Sequence, residues 1–136
     1  MIIAEEETNS GIPEIIVEST PKALIQIAQY YIGKFDLDIV GITGSAGKTT
    51  TKELTAQILG RKYRVAKNFG NQNTPVGIPI SLKHIKDDTE IFVAEMSGAH
   101  FDEIPRLLQI LTPRVATVTN IGETHLERLG DINGVA

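Results

Sequence analysis

The sequence predicts an α/β fold in which a parallel sheet is flanked by helices, and three observations support this. Strand-like and helix-like segments alternate along most of the chain. The strand-like segments are apolar at consecutive positions, which is typical of strands covered on both faces. A short glycine-rich turn also joins one strand directly to the following helix, which suits a parallel arrangement.

The first strand and the first helix are predicted within residues 12–33. Ile15-Ile16-Val17 is a β-branched run that predicts a strand over residues 12–18. Thr20-Pro21 supplies a helix N-cap and a first-turn proline, and Gly33 supplies the stop. Four residues at helical spacing predict the buried face, namely Leu24, Ile27, Ala28 and Tyr31.

The next unit is a strand over residues 37–43, a tight turn over residues 44–47, and a helix from Lys48 to Gly60. The apolar period of this helix predicts a buried face with four residues, namely Thr51, Leu54, Thr55 and Ile58. Residues 63–66 then predict a short strand.

An Asn- and Gly-rich loop is predicted over residues 68–75, with a brief helix following toward His84. Residues 91–94 form a fully apolar strand that ends in Glu95, and residues 115–119 form another. A helical stripe lies between these strands and consists of Ile104, Leu107, Leu108 and Leu111. Residues 131–136 resemble the first turn of a helix, so we expect the domain to continue beyond them.

Bulk composition restricts the class of protein. The 136 residues are 41% hydrophobic, which suits one globular domain, and no apolar run approaches the roughly 18 residues that span a bilayer. The N-terminus turns from apolar to acidic, unlike a signal peptide, and cysteine is absent, so we expect a cytoplasmic protein without membrane insertion. The net charge of −4 argues against a nucleic-acid partner.

The strongest motif lies at the strand-to-helix turn, in the run Gly41-Ile-Thr-Gly-Ser-Ala-Gly-Lys-Thr-Thr50. Backbone amides in such a turn, together with the helix N-terminus, can bind phosphate. The predicted phosphate-binding residues are Gly44, Ser45, Ala46, Gly47, Lys48, Thr49 and Thr50. Lys48 would reach the β- and γ-phosphates of ATP, and the Thr49 hydroxyl would ligate Mg²⁺. The general pattern requires glycine where this chain has Ile42, and a turn that binds nothing is the alternative.

Two further side chains follow apolar strands. Glu95 ends a strand that should lie beside the phosphate-loop strand, where a carboxylate can order Mg²⁺. His125 follows the strand at 115–119, at the carboxyl edge where open α/β sheets carry their sites. A solvated glutamate and a surface histidine are the alternatives. His84 and His100 have weaker claims, and Glu5-Glu6-Glu7 is expected to be exposed and inert.

These residues together resemble the Mur ligase family, whose phosphate loop reads T-G-[ST]-x-G-K-T-[ST] and matches residues 43–50. The runs Thr50-Thr-Lys-Glu53, Val76-Gly-Ile-Pro79 and Thr119-Asn-Ile-Gly-Glu-Thr-His-Leu-Glu127 are most similar to the member that adds D-alanyl-D-alanine to UDP-muramoyl-tripeptide. The resemblance extends from about residue 15 to residue 136.

The resemblance implies the roles of individual residues. Lys48 would be the phosphate clamp, Thr49 and Glu95 would hold Mg²⁺, and His125 would hold a second metal, so that Lys48 and His125 count as catalytic. Asn71, Asn73 and Asn120 would line the nucleotide and substrate cleft.

The resemblance also implies the domain organisation. Residues 1–18 would be the tail of a preceding UDP-sugar-binding domain or a linker, and residues 19–136 would be part of the central ATP-binding domain. The carbamylated lysine, the adenine-binding segments and the amine-binding domain of the family would lie further on, so a fragment of this length is expected to be inactive.

The implied activity is ATP-dependent amide-bond formation through an acyl phosphate during peptidoglycan precursor synthesis. The substrates would be a UDP-muramoyl-peptide and an amino acid or dipeptide, and the oligomeric state stays open. Ala99 replaces the asparagine typical of the D-alanyl-D-alanine-adding members, which leaves the amine open. The alternatives are another muramyl-peptide or folylpolyglutamate-type ligase, and a non-catalytic nucleotide-binding module.

Overall fold

The computed structural model describes all 136 residues and contains two separate parallel sheets. The smaller sheet pairs two N-terminal strands, and the larger has four strands in the order β4-β5-β3-β6. The strands are β1 Ile2–Ala4, β2 Glu14–Ile16, β3 Asp38–Thr43, β4 Val65–Lys67, β5 Ile91–Glu95 and β6 Val115–Val118. The helices are α1 Thr20–Ile32, α2 Lys48–Leu59, α3 Gly77–Ser81, α4 Glu103–Ile110, α5 Leu126–Leu129 and α6 Ile132–Val135.

The predicted α/β class and the parallel sheet are therefore confirmed. Strand β3 lies between β5 and β6, with Ile42 paired with both Glu95 and Thr117. Because all pairings in this sheet are parallel, the carboxyl ends of β3, β5 and β6 meet at one edge. That edge carries the phosphate loop, Glu95 and the segment that leads to His125.

The core lies mainly against β5, which is buried along its whole length. Phe92 and Ala94 face a cluster that includes Leu107 of α4, whereas Val93 faces a smaller cluster with Ile42 and Ala56. Alternate side chains of this strand thus pack on opposite faces of the sheet, as expected for a strand between helical layers. This buried strand fixes the position of Glu95 at its end.

Several predicted details of the helices are wrong. Helix α1 is capped by Ser19 rather than Thr20, because the Ser19 hydroxyl accepts a hydrogen bond from the Lys22 amide. Ile27 is half-exposed, and the buried residues of α1 are Ala23, Ile25 and Ala28. In α2, Leu54 and Ile58 are 54% and 69% exposed, whereas Lys52 and Ala56 are buried.

The N-terminal segment also differs from expectation. Strand β1 was not predicted, and the Glu5 carboxylate is not inert because it accepts hydrogen bonds from the Thr20 amide and hydroxyl. These two bonds lower the pKa of the Glu5 carboxyl. No helix combines the length and apolarity that a membrane crossing would require.

Candidate functional site

The turn between β3 and α2 leaves the start of the helix open for a ligand. Gly47 precedes the helix with a left-handed φ of 79°, and no side chain caps the first turn of α2. The first amides of a helix have no partner within the helix and carry a partial positive charge. The start of α2 therefore offers unpaired donors that suit an anion.

Gly44 allows the end of β6 to approach the loop closely. Its φ is +133°, and a Cβ atom there would lie 2.2 Å from the Thr119 hydroxyl oxygen and 2.9 Å from the Asn120 carbonyl oxygen. Ile42, where the general pattern has glycine, is fully buried in the cluster that contains Ala56 and Val93. The missing glycine is thus replaced by a core side chain between the sheet and α2.

The segment that follows β6 holds the loop in place. The Ser45 amide donates to the Asn120 carbonyl at 3.0 Å, and the Ala46 amide donates to Asn120 Oδ1 at 2.9 Å. The Thr119 hydroxyl donates to the Ala46 carbonyl at 2.6 Å. Two amides predicted to bind phosphate are therefore engaged by Asn120 in this conformation.

Lys48 is folded over its own loop. Its Nζ lies 2.5 Å from the Gly44 carbonyl oxygen and 3.4 Å from that of Ser45, and it donates a hydrogen bond to each. These carbonyl groups compensate part of the ammonium charge, and a phosphate group would compete with them. The side chain thus lies at the loop, as a phosphate clamp requires.

Glu95 is 4% exposed, and both oxygens of its carboxylate are hydrogen-bonded. The Thr49 hydroxyl donates to Oε2 at 2.9 Å, and Asn73 Nδ2 donates to Oε1 at 2.9 Å. The structure thus brings together residues that are far apart in the sequence. Their roles as ligands stay predictions.

Asn68 fixes the backbone at the same point and was not predicted. It is fully buried, its Oδ1 accepts from the Glu95 amide at 2.8 Å, and its Nδ2 donates to the Glu95 carbonyl at 3.0 Å. Nδ2 also donates to the Gln72 carbonyl at 2.9 Å. The side-chain amide therefore continues the pairing of β4 with β5 beyond the last backbone bond of β4.

A row of alternating charges extends from Glu95 to Lys67 on β4, the outer strand of the larger sheet. Lys52 Nζ lies 3.6 Å from Glu95 Oε2 and 3.4 Å from Glu53 Oε1, and Lys67 Nζ bonds to the other oxygen of Glu53. The hydrogen bond from Lys67 lowers the pKa of the Glu53 carboxyl, and the charge of Lys67 adds to this effect. The pattern of apolar residues gave no signal for Lys52.

The pair of Thr49 and Glu95 fits a magnesium ion held jointly with phosphate. Two oxygens on neighbouring vertices of an octahedron with bonds of about 2.1 Å lie about 3 Å apart, and Mg²⁺ commonly takes one or two protein oxygens beside phosphates and water. The observed separation of Thr49 Oγ1 from Glu95 Oε2 is 2.9 Å. The structure contains no group of three or more His, Cys, Asp or Glu side chains that would form an all-protein metal cage.

His125 lies across a cavity of about 400 Å³ from the phosphate loop, and Lys48, Asn120 and His100 also line this cavity. Its backbone adopts a left-handed φ of 54° before α5, and the residue is exposed. His100 Nε2 lies 3.1 Å from Arg128 Nη1, which brings a second histidine to the cavity. His125 does not belong to a group of three or more potential metal-binding side chains, so its ligand role stays a prediction.

The other predicted site residues are less closely associated with this cavity. Asn73 donates a hydrogen bond to the Glu95 carboxylate. Asn71 is an exposed loop residue that does not line the cavity. Thr50 is exposed in the first turn of α2. His84 packs edge-on against Phe69 with ring centroids 4.7 Å apart, so it has a structural contact away from the cavity.

Comparisons with known proteins agree with this geometry. Residues 42–136 match the family described as the Mur ligase middle domain. The chain is 41% identical over 122 residues to the UDP-N-acetylmuramoyl-tripeptide–D-alanyl-D-alanine ligase of Bacillus subtilis, covering 90% of this chain and 27% of that protein. The corresponding Escherichia coli ligase is 33% identical over 135 residues, covering 99% of this chain and 30% of that protein.

Solved structures show the same similarity. MurF from Acinetobacter baumannii superposes with a TM-score of 0.93 at 34% identity, covering 98% of this chain and 30% of that one. The MurF ligase of Thermotoga maritima, solved in complex with ADP, gives 0.90 at 38% identity, covering 98% of this chain and 31% of that one. This chain therefore spans less than a third of the length of these relatives.

Proposed function

Because this chain belongs to the Mur ligase family, we propose that it carries the phosphate-binding part of an ATP-dependent ligase that adds D-alanyl-D-alanine to a UDP-muramoyl-tripeptide. The hydrogen bond from Thr49 to Glu95 is the observation that carries the proposal, because it joins the start of α2 to a buried carboxylate at the carboxyl end of β5. The Thermotoga maritima relative solved with ADP supports a nucleotide at this loop.

The proposed roles follow from the position of each group. The amides at the start of α2 and the Lys48 ammonium bind the β- and γ-phosphates of ATP. Thr49 and Glu95 hold Mg²⁺, which would neutralise phosphate charge when bound. Binding requires Lys48 to leave the Gly44 carbonyl, and it requires Asn120 to release the Ala46 amide if that amide is to contact phosphate.

In the proposed reaction, a substrate carboxylate oxygen bonds to the terminal phosphorus of ATP while the bond from that phosphorus to ADP breaks. The amine nitrogen then forms a bond to the acyl carbon, phosphate leaves, and the amine gives up its proton. Such chemistry depends on positioning and charge neutralisation and needs no side-chain nucleophile. Lys48 and the loop amides stabilise the charge that develops on the transferred phosphoryl group.

The substrate-cleft residues, the second metal, the domain bounds and the compartment are also proposals. Asn71, Asn73 and Asn120 would border the substrate, and His125 would hold a second metal with groups outside this chain. Residues 1–18 would belong to a preceding domain, and residues 19–136 to the central domain. We propose the cytoplasm as the compartment, as expected from the sequence.

Nucleotide binding is tested by calorimetry with ADP and Mg²⁺ on wild type, Lys48→Ala and Lys83→Ala. The first substitution removes a charge-assisted contact and should weaken binding by about ten- to a hundredfold. Lys83 is exposed and does not line the cavity at the loop, so its substitution should leave the affinity unchanged. Equal affinities for wild type and Lys48→Ala would refute the role of Lys48.

Ligation is tested with the whole protein that carries this chain. The assay measures the phosphate released from ATP in the presence of UDP-muramoyl-tripeptide and D-alanyl-D-alanine. Release that requires both substrates supports the proposal. Ala99 favours a comparison with single amino acids and other dipeptides, because it replaces an asparagine expected for this amine. A preference for another amine would assign the protein to a different ligase of the family, and nucleotide binding without release would favour a non-catalytic module.

A further inference from the structure

Lys52 is the largest fully buried side chain of the protein and is 1% exposed. It projects from the inner face of α2 toward the sheet, and its ammonium group lies between the carboxylates of Glu53 and Glu95. Transfer of an ammonium group out of water is costly unless nearby charges compensate it. The position therefore indicates that the two carboxylates compensate the positive charge of the buried Lys52 ammonium group.

The orientation of Glu95 does not depend on Lys52. Thr49 and Asn73 each donate a hydrogen bond of 2.9 Å to one carboxylate oxygen, and Asn68 holds the backbone on both sides. The separation of Lys52 Nζ from Oε2 is 3.6 Å, which is longer than a direct hydrogen bond. Lys52 therefore contributes charge to the site rather than geometry.

The charges near Glu95 are already balanced, and of the four groups only Lys52 and Glu95 are buried. Lys67 and Lys52 alternate with Glu53 and Glu95, so that two cations compensate two carboxylates. A divalent cation bound between Thr49 and Glu95 would be repelled by the neighbouring ammonium group, and this repulsion is strong where water is excluded. The same repulsion would be offset when the cation arrives with the negative charges of a nucleotide.

We infer that Lys52 is an internal counter-ion of Glu95 that keeps the affinity of the site for free Mg²⁺ low, so that the metal binds together with nucleotide. The inference rests on the proposed function, since Mg²⁺ at Glu95 is part of it. Lys52 acts through the charge of Glu95 and is not itself a ligand of the metal. A purely structural lysine would contribute only the packing of its aliphatic stem.

The test compares wild type with Lys52→Met, which keeps most of the stem and removes the charge. Calorimetry with Mg²⁺ alone should show binding about tenfold tighter in the variant, because the repelling charge is absent. In EDTA the variant should melt below wild type, and Mg²⁺ alone should raise its melting temperature more than that of wild type. Lys83→Met is the matched control, because it removes an exposed lysine and should behave as wild type.

A Mg²⁺ affinity that is unchanged or weaker in Lys52→Met would overturn the inference. If this variant does not fold in EDTA, the double variant Lys52→Met/Glu95→Gln tests whether the loss of the ion pair is the reason, since it also removes the carboxylate that Lys52→Met leaves unpaired. If the double variant folds, the ion pair between Lys52 and Glu95 is supported. If the double variant does not fold although Glu95→Gln alone does, the ion pair is contradicted. Measurements in EDTA need no nucleotide, so a wild type that fails to bind ADP with Mg²⁺ would refute the proposed function and not the ion pair.

Discussion

At the scale of single residues, the site depends on polar groups that are buried and fully paired. Asn68 uses both ends of its amide, since one end accepts from Glu95 and the other donates to Glu95 and Gln72. A buried polar group costs free energy when it loses its partner, which makes such a residue sensitive to truncation. The precision with which Glu95 is held thus comes from a residue that would not touch substrate.

Replacement of Asn68 by Ala should lower the free energy of unfolding by about 2–3 kcal/mol, because two carbonyls and one amide lose their partner. Urea unfolding would measure the change. Asn71→Ala is the matched control, since Asn71 is exposed in the same loop, and its effect should stay within about 0.5 kcal/mol. Equal effects for the two variants would contradict the stabilising role of the Asn68 hydrogen bonds.

Gly44 and Gly47 both have positive φ, but they should respond differently to alanine. A Cβ at Gly44 would collide with Thr119 and Asn120, whereas nothing lies within 4 Å of a Cβ at Gly47. Gly47→Ala should therefore cost only the backbone strain, about 1–2 kcal/mol. Gly44→Ala should cost more and should displace residues 119–120.

Amide chemical shifts of residues 119–122 and urea unfolding of the two variants would test this difference. Displaced shifts in Gly44→Ala alone are expected. If Gly47→Ala proved as destabilising as Gly44→Ala, the close approach of the β6 end would not be the reason for glycine at position 44.

The sequence revealed the residues of the site that belong to a local motif. Lys48 and Thr49 follow a glycine-rich turn, and Glu95 ends an apolar strand, so local patterns were sufficient to find them. Lys52 and Asn68 were not identified as site residues, because the contact of each with Glu95 spans 27 or more positions and leaves no local sequence pattern. Residues of this kind become visible only when the sheet is assembled.

At the scale of elements, the strands were predicted more reliably than the buried faces of the helices. Strand β5 is a short apolar run that is buried along its whole length, as expected for a strand covered on both faces. Strand β6 is also apolar, but it is exposed at all four positions, so the expectation of cover on both faces is wrong there. In α2 the apolar residues Leu54 and Ile58 point outward, and the buried face includes a lysine instead. Helical periodicity identified the helix but placed its inner face incorrectly, because an ion pair replaces an apolar contact there.

The connection between the two strands of the small N-terminal sheet is held by a carboxylate at the start of β2. Glu14 accepts hydrogen bonds from the Thr8 amide and hydroxyl and from the Ser10 hydroxyl. These bonds lower the pKa of the Glu14 carboxyl to about 2, with the Thr8 hydroxyl as the largest cause. The contribution of these bonds to stability is therefore fully present above the ordinary pKa of 4.5 and lost as the pH falls toward 2.

Acidification from pH 5 toward about 2 should thus loosen residues 8–14 in wild type, because protonation of Glu14 removes its charge and part of its capacity to accept these bonds. Hydrogen exchange of the Thr8 amide would follow this change. Glu14→Gln should lose protection already at neutral pH and show little further change on acidification. A wild-type profile that is flat over this range would contradict the lowered pKa.

At the scale of the whole molecule, the two sheets are separate units. Strands β1 and β2 pair only with each other, and the phosphate loop, Glu95 and His125 all belong to the larger sheet or to the loops that follow its strands. The described hydrogen bonds between the N-terminal segment and α1 come from Glu5 and the exposed start of the helix. This separation supports the proposed boundary near residue 18.

Deletion of residues 1–17 should therefore leave the larger sheet folded, because Ser19 still caps α1 and no strand of that sheet loses a partner. Circular dichroism should show a cooperative transition, with a loss of melting temperature smaller than that of Asn68→Ala. ADP affinity should be unchanged. A shortened protein without cooperative unfolding would show that the N-terminal residues are part of the same unit.

The pairing of β3 has a consequence for the order of events during synthesis. Residue 40 pairs with residues 93 and 115, so the central strand leaves the ribosome long before either neighbour exists. Its phosphate loop is likewise held by residues 119–122, which emerge only after β6. The nascent strand must therefore stay unpaired until residues 93 and 115 have emerged, and contacts between such distant positions form slowly. Chaperone contact with residues 38–43 of stalled nascent chains is expected to end once residue 122 has emerged.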